Sequence, residues 1–106
     1  MNNLIQKITA FRDARDWKQF HNAKDLALAL NIEAGELLES FLWKEAEDAD
    51  KSKIREELAD VFMYAFLLAD QQGLNVEEIV NEKLKTNQAK YPVEKAKGSA
   101  KKYNEL

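Results

Sequence analysis

Two pairs of acidic residues interrupt the two most apolar stretches of this 106-residue chain. Glu33 and Glu36 lie within LALALNIEAGELLESFLW, Glu57 and Asp60 lie within ELADVFMYAFLLAD, and both pairs have i,i+3 spacing. Without these acids, both segments would form helices that are apolar nearly all round, which is typical of buried helices. Burying an ionised carboxylate is costly unless a counter-charge meets it. Four converging acids therefore indicate a bound cation.

The spacing of apolar residues predicts an all-α fold. The chain has three Gly and one Pro, too few turn residues for a series of hairpins. Apolar residues recur at helical spacing in four segments, and the first of these carries only a narrow stripe of Leu4, Ile8 and Phe11. We therefore expect a four-helix bundle in which the second and third helices are a long, central, antiparallel pair.

Capping residues and helix breakers predict where these helices begin and end. Asn22 is a candidate N-cap of the second helix, whose pattern then continues without a breaker to about Lys44. The third helix is expected to stop near Gly73. Asn75 resembles the first residue of a capping box for the fourth helix, which Pro92 closes.

The length of the chain fits a single domain over residues 1–106. Residues 92–106 are expected to form an extended basic tail, flexible because it lacks sustained periodicity. The two broad apolar helices cannot both be covered by the narrower first and fourth helices. This mismatch predicts a homo-oligomer.

Composition and charge argue against several other classes of protein. A net charge of -3 and a pI near 5.2 give no support for polynucleotide binding, which requires a basic surface. No segment reaches the roughly 20 apolar residues of a membrane span, and the first residues lack the apolar centre of a signal peptide. We therefore expect a cytoplasmic protein without a membrane partner.

The chemistry of the four acids narrows the choice of cation. A short connection between the second and third helices lets the acid pairs meet across the bundle. With no cysteine in the chain and the single His21 in a loop, zinc and di-iron sites have little support. Oxygen-only ligation instead suits Mg²⁺ or Mn²⁺. The alternative is that the acids are solvated and form surface ion pairs with Lys44, Lys53 or Arg55.

The motifs Glu33-Ala-Gly-Glu36 and Glu57-Leu-Ala-Asp60 resemble the metal-binding signature of the all-α nucleoside triphosphate pyrophosphohydrolases, the MazG-like superfamily. Further segments are similar to successive blocks of its dCTP pyrophosphatase branch, and together they cover nearly the whole chain: RDWKQFHNAKDLALAL, EAGELLESFLWK, EELADVFMYAFLLA and KTNQAKYPVEKAKGSAKKY. Ile32 stands where many MazG proteins carry another Glu, which favours the compact dCTP pyrophosphatase branch.

This resemblance implies hydrolysis of dCTP or related deoxynucleoside triphosphates between the α- and β-phosphates, in a house-cleaning role. It implies that Glu33, Glu36, Glu57 and Asp60 are catalytic and hold Mg²⁺, with Mn²⁺ as a possible substitute. Glu36 is our preferred candidate for orienting the attacking water. The resemblance also implies a dimer, or a tetramer built as a dimer of dimers, in which sites share residues between chains.

A nucleotide base requires a flat, apolar pocket with a few polar groups. The ring-bearing residues Trp17, His21 and Trp43 are candidates for it, although core packing is the alternative reading of each. The resemblance adds three residues on the helices, with Lys83 as a phosphate contact. The complete set of substrate-binding candidates is Trp17, His21, Trp43, Tyr64, Lys83 and Asn87.

A non-enzymatic function is the competing hypothesis. The long apolar helices would then bind a partner, and the acids would form salt bridges between helices without any dependence on metal. The sequence leaves open which base is preferred, how many metal ions bind, and whether the oligomer is a dimer or a tetramer.

Overall fold

The computed structural model describes residues 2–106. Over this range the chain is helical and contains no β-strand, which confirms the all-α prediction. None of the described helices is long and apolar enough to cross a membrane. The helices are α1 (Asn2–Ala14), α2 (Ala23–Glu39), α3 (Lys51–Gln71), α4 (Val76–Lys90) and α5 (Val93–Ala96), with single 3₁₀ turns at Lys18–Phe20, Ala46–Asp48 and Tyr103–Glu105.

These helices divide between two compact units. The first unit runs to Leu74 and holds α1, α2 and α3, whereas Asn75–Leu106 forms the second. Within the first unit, the most extensive helix–helix contact is between α2 and α3. The α1 helix also packs against α3. The buried apolar side chains of this unit are Ile8, Leu26, Phe66, Leu67 and Ala69. A single domain over residues 1–106 stays a prediction.

Both predicted N-caps are present. The Asn22 side chain accepts a hydrogen bond from the backbone N–H of Asp25 at 2.8 Å, which satisfies one free donor at the start of α2. Asn75 accepts from the backbone N–H of Glu78 at 2.9 Å at the start of α4. α3 ends at Gln71, close to the predicted stop at Gly73, whose φ of +67° favours glycine.

The predicted end of α2 was wrong by about one turn. The helix stops at Glu39 rather than near Lys44, and the chain continues in tighter turns in which Ser40 and Phe41 donate to carbonyls three residues back. Trp43 then adopts a φ of +63°. Non-glycine residues rarely occupy this left-handed region, so a tryptophan does not predict such a turn. The sequence also has no Gly or Pro near this point to signal the end of the helix.

The basic tail has more local order than its composition predicts. α5 follows Pro92, and the Tyr103 ring packs edge-on against Tyr91 with 6.2 Å between ring centroids. The Lys90 ammonium lies 4.7 Å from the centroid of the Tyr103 ring. These contacts join positions 12 and 13 apart, which show no periodic pattern in the sequence, and the flexibility of the tail stays a prediction.

A set of large apolar side chains on α2 and α3 is exposed in the single chain. Its members are Leu28, Ile32, Leu38, Leu58 and Phe62. Exposed apolar residues on these two helices are the feature from which the sequence predicts a homo-oligomer. The oligomeric state itself stays a prediction.

Candidate functional site

Three carboxylates from two helices meet in the first unit. Glu33 and Glu36 on α2 and Glu57 on α3 each offer one oxygen, and these oxygens lie within 4.8 Å of one another. Glu33 and Glu36 are partly buried and Glu57 is buried. The second half of α2 thus lies beside the first half of α3, as expected for antiparallel helices with a short connection. We call these three residues the carboxylate cluster.

Burial and mutual repulsion disfavour ionisation of the carboxylate cluster. Desolvation raises the pKa of Glu33 to about 7, helped by a hydrogen bond with Glu36 and by neighbouring negative charges. Desolvation also raises the pKa of Glu57, which interacts with Glu36 in the same way. Within residues 2–106, one oxygen each of Glu33 and Glu57 is buried without a hydrogen-bond partner. Buried acceptors of this kind usually have a bound water or ion as their partner.

Surface ion pairing does not account for these acids. Across the part of the chain that the structure describes, both ion pairs belong to Arg12, which binds Asp13 and Asp70. Lys53 lies close enough to lower the pKa of Glu57, but the net shift of that pKa is upward. Within residues 2–106, no salt bridge neutralises the carboxylate cluster.

Asp60 connects the carboxylate cluster to a neighbouring cavity. Its charge contributes to the raised pKa values of Glu33 and Glu57. Its side chain also lines a cavity of about 230 Å³, together with the predicted substrate residues Trp17, His21 and Tyr64. Four of the candidate residues thus share one cavity wall. The other lining residues are Ile8, Phe11, Arg12, Met63 and Leu67.

The loop after α1 holds Trp17 firmly at this cavity. Asp16 has a φ of +55°, and the backbone N–H of Trp17 donates to the carbonyl of Arg12 at 3.2 Å. The Trp17 ring meets Phe11 edge-on with 5.8 Å between centroids, and the Arg15 guanidinium lies 3.7 Å from the centroid of the Phe11 ring. These contacts fix an aromatic wall before any ligand arrives.

Comparisons with known proteins identify the family of this chain. The model of the MazG-like family matches residues 28–106. The chain belongs to the MazG-like family. A solved structure of a pyrophosphatase from Archaeoglobus fulgidus DSM 4304 superposes with a TM-score of 0.80 at 37% identity, covering 87% of this chain and 92% of that one.

Curated relatives of this MazG-like chain carry a more specific name. dCTP pyrophosphatase 1 of Bos taurus is 38% identical, over 91% of this chain and 62% of its own length. The protein of the same name from Rattus norvegicus is 40% identical, over 91% of this chain and 61% of its own length. The chain therefore spans somewhat less than two thirds of these relatives.

Other predicted substrate residues of the MazG-like chain lie elsewhere. Trp43 follows α2, is fully exposed, and does not line the cavity. Lys83 is exposed and Asn87 is partly buried, and they lie one turn apart on α4, in the second unit. Their contribution to substrate binding stays a prediction.

Sequence reasoning missed several cavity residues, of which Arg12 is chemically the most distinctive. Arg12 is 4% exposed, although arginine is almost never fully buried without a partner. It lies four residues after Ile8 and therefore continues the apolar stripe of α1. A charge on an apolar stripe is the same signal that identified the four acids. Applied to α1, it would have found Arg12.

Proposed function

We propose that this chain is a Mg²⁺-dependent nucleoside triphosphate pyrophosphohydrolase that cleaves dCTP and related deoxynucleoside triphosphates to the monophosphate and pyrophosphate. One observation carries the proposal: Asp60 borders both an unneutralised carboxylate cluster and a cavity lined by aromatic side chains. A nucleotide has matching parts, a polyphosphate that is accompanied by divalent metal and a flat base. The dCTP pyrophosphatases among the relatives point to the same reaction.

The carboxylate cluster fits a hard divalent cation. Its donors are carboxylate oxygens, two of them buried and without a hydrogen-bond partner in residues 2–106. Such ligands suit Mg²⁺ and also Mn²⁺. Glu33, Glu36, Glu57 and Asp60 would hold the metal. When bound, it would neutralise phosphate charge and polarise the phosphoryl group under attack.

Individual residues of the chain would have distinct roles in this reaction. The oxygen of a water attacks the α-phosphorus, the bond from that phosphorus to the bridging oxygen breaks, and pyrophosphate leaves with the electron pair. Glu36 interacts with both Glu33 and Glu57, so its central carboxylate is our candidate to orient the water and accept its proton. Trp17 and Tyr64 would contact the base from the cavity wall.

Further parts of the proposal rest on the sequence. Lys83 would contact a phosphate, Asn87 would contact the nucleotide, and Trp43 would contact a base. The exposed apolar side chains of α2 and α3 support a homo-oligomer, either a dimer or a tetramer built from two dimers. A house-cleaning role in the cytoplasm completes the proposal.

Product analysis tests the reaction directly. The purified protein is incubated with each deoxynucleoside triphosphate, with and without Mg²⁺, and monophosphate, diphosphate, phosphate and pyrophosphate are resolved. We expect metal-dependent monophosphate and pyrophosphate, which disappear in the double variant Glu36→Gln/Asp60→Asn. Glu56→Gln is a matched control, because Glu56 is an exposed acid on α3 beside Glu57. Intact nucleotide throughout would favour the helical interaction module instead.

A further inference from the structure

Arg12 introduces a buried positive charge into a cavity wall that is otherwise largely apolar. Its neighbours in that wall include Phe11, Trp17 and Met63. Two carboxylates hold the guanidinium: Nε donates to Asp13 Oδ1 and Nη1 donates to Asp70 Oδ2, both at 2.8 Å. These charge-assisted bonds fix the plane of the guanidinium.

The fixed guanidinium retains donors for a ligand. It carries five N–H groups. Among residues 2–106, its side-chain hydrogen bonds engage one on Nε and one on Nη1. Two N–H groups on Nη2 and one on Nη1 remain. A planar fork of this kind suits two adjacent acceptors on one molecule.

Arg12, on α1, lies beside α3 at a distance from Asp60 that suits the base end of a nucleotide. Asp60, Tyr64 and Leu67 line the cavity at helical spacing, and Asp70, the partner of Arg12, follows on the same face. Ten residues of helix rise about 15 Å. Asp60 therefore marks the carboxylate end of the cavity, and Arg12 marks the opposite end. If the phosphates bind at the carboxylates, the edge of the base would face Arg12.

The wall beyond the cavity is also polar. Arg12 and His21 line both this cavity and a second one of about 280 Å³, whose other lining residues are Lys18, Asp70 and Gln71. His21 adds an Nδ1 atom that is buried and unpartnered within residues 2–106. Polar groups are thus concentrated where the edge of a base would lie.

We infer that Arg12 is a specificity-determining residue that donates to O2 and N3 of a cytosine base. This inference rests on the proposed function and deepens it by assigning the choice of base to one side chain. Cytosine offers these two acceptors side by side. Uracil and thymine carry an N3–H group at the same place, which would face the N–H groups of Arg12 and leave them unpaired. A good bidentate contact to a base discriminates by about tenfold or more.

The test compares dCTP with dUTP through kcat/KM. The principal variant is Arg12→Met/Asp70→Leu, which replaces both members of the ion pair by apolar side chains and leaves neither charge unpaired. We expect the wild type to prefer dCTP. In the variant, kcat/KM for dCTP should fall about tenfold or more, whereas that for dUTP should stay within about threefold.

Two further variants separate base reading from folding. Arg12→Lys keeps the positive charge beside Asp70 but loses the fork, so it should also lose the preference for dCTP. Lys7→Met removes an equal charge from an exposed residue of α1 that lines neither cavity, and it should leave the preference unchanged. Thermal melts show whether each variant is folded. Binding of dCMP and dUMP, measured by calorimetry, gives a readout that needs no turnover.

The outcomes distinguish this inference from the proposed function. A wild type that cleaves no deoxynucleoside triphosphate overturns both. A wild type that releases pyrophosphate without preferring dCTP overturns the inference alone. So does an equal loss of kcat/KM for both nucleotides in folded Arg12 variants, or a preference for dCMP over dUMP that persists in them, because Arg12 would then only support the structure.

Discussion

The first unit buries charge in two places and treats it in opposite ways. Arg12 is enclosed by α1 and α3 and is neutralised by Asp13 and Asp70. The carboxylate cluster, between α2 and α3, contains only negative groups. The side chains of the protein neutralise the charge of Arg12, whereas the carboxylate cluster fits the divalent cation proposed above. This difference identifies the carboxylate cluster, rather than Arg12, as the candidate cation site.

The two places also shift pKa values with opposite consequences. Hydrogen bonds with Asp13 and Asp70 raise the pKa of Arg12, so its charge is favoured in the folded protein. Burial raises the pKa of Glu33, so its charge is disfavoured there. The charge of Arg12 therefore stabilises the fold, whereas ionisation of the carboxylate cluster destabilises it, and the proposed metal would offset this destabilisation.

Removing one member of the carboxylate cluster should have the largest effect on function. We expect Glu57→Gln to lower kcat/KM by more than about 100-fold. Mutating residues that only hydrogen-bond to metal ligands already lowers metal affinity or activity by about 10–100-fold, and Glu57 is itself a proposed ligand. The metal-free variant should melt at a higher temperature than the metal-free wild type, since one repelling carboxylate is gone. Pyrophosphate release and thermal melts measure the two effects. Full activity in a folded variant would show that Glu57 is not needed.

Breaking the ion pair of Arg12 and Asp70 should lower stability as well as the preference for dCTP. Arg12→Met leaves Asp70 without its cation, and we expect the free energy of unfolding to fall by roughly 1–3 kcal/mol. Arg12→Met/Asp70→Leu should recover most of this loss. Urea unfolding of the wild type and both variants provides the comparison. If the double variant were the less stable of the two, the ion pair would contribute more than the removal of an unpaired charge.

The pH dependence of the metal-free protein should reveal the unneutralised cluster. Glu33 has a folded-state pKa of about 7 against 4.5 when unperturbed, so the unfolded state loses this proton first as pH rises. The contribution of Glu33 to stability is thus present below pH 4.5 and is lost as pH rises to about 7. Melting temperatures at pH 5 and pH 8, in a chelator, should show this loss.

Two controls accompany the pH experiment. Mg²⁺ should restore stability at the higher pH, because a bound cation favours the ionised carboxylates. Glu33→Gln should flatten the pH dependence, because the titrating group is absent. The same slope in this variant as in the wild type would assign the titration to another residue.

The smallest effect should come from an acid outside both places. Glu56 is exposed and is adjacent to Glu57 in sequence. We expect Glu56→Gln to change the free energy of unfolding by less than about 0.5 kcal/mol and to leave kcat/KM within about twofold. A large loss of activity would extend the functional acids beyond the carboxylate cluster.

The carboxylate cluster was predictable because charge is conspicuous within apolar helices. Glu33, Glu36 and Glu57 each interrupt a helical pattern that would otherwise indicate burial. The short connection between the two helices predicts antiparallel packing, which places these acids near one another. The caps at Asn22 and Asn75 were equally accessible, since capping depends on neighbours within three residues.

Other features depend on contacts that spacing does not encode. The position of Arg12 on the apolar stripe of α1 is visible in the sequence, but its partner Asp70 is 58 residues away and no periodic pattern links the two. The end of α2 depends on tight turns and on the left-handed backbone of Trp43, a conformation for which tryptophan gives no signal. Both require the assembled structure.

The two tryptophans of this chain are intrinsic fluorescent probes that lie in different environments. Trp17 lines the cavity edge-on to Phe11, and Trp43 is fully exposed. An aqueous quencher such as iodide will therefore silence Trp43 first and leave an emission dominated by Trp17. Single substitutions of each to Phe would yield one fluorophore that reports on occupation of the cavity and another that reports on coverage of the surface around Trp43. Ligand binding and self-association can thus be followed separately, without attaching a dye.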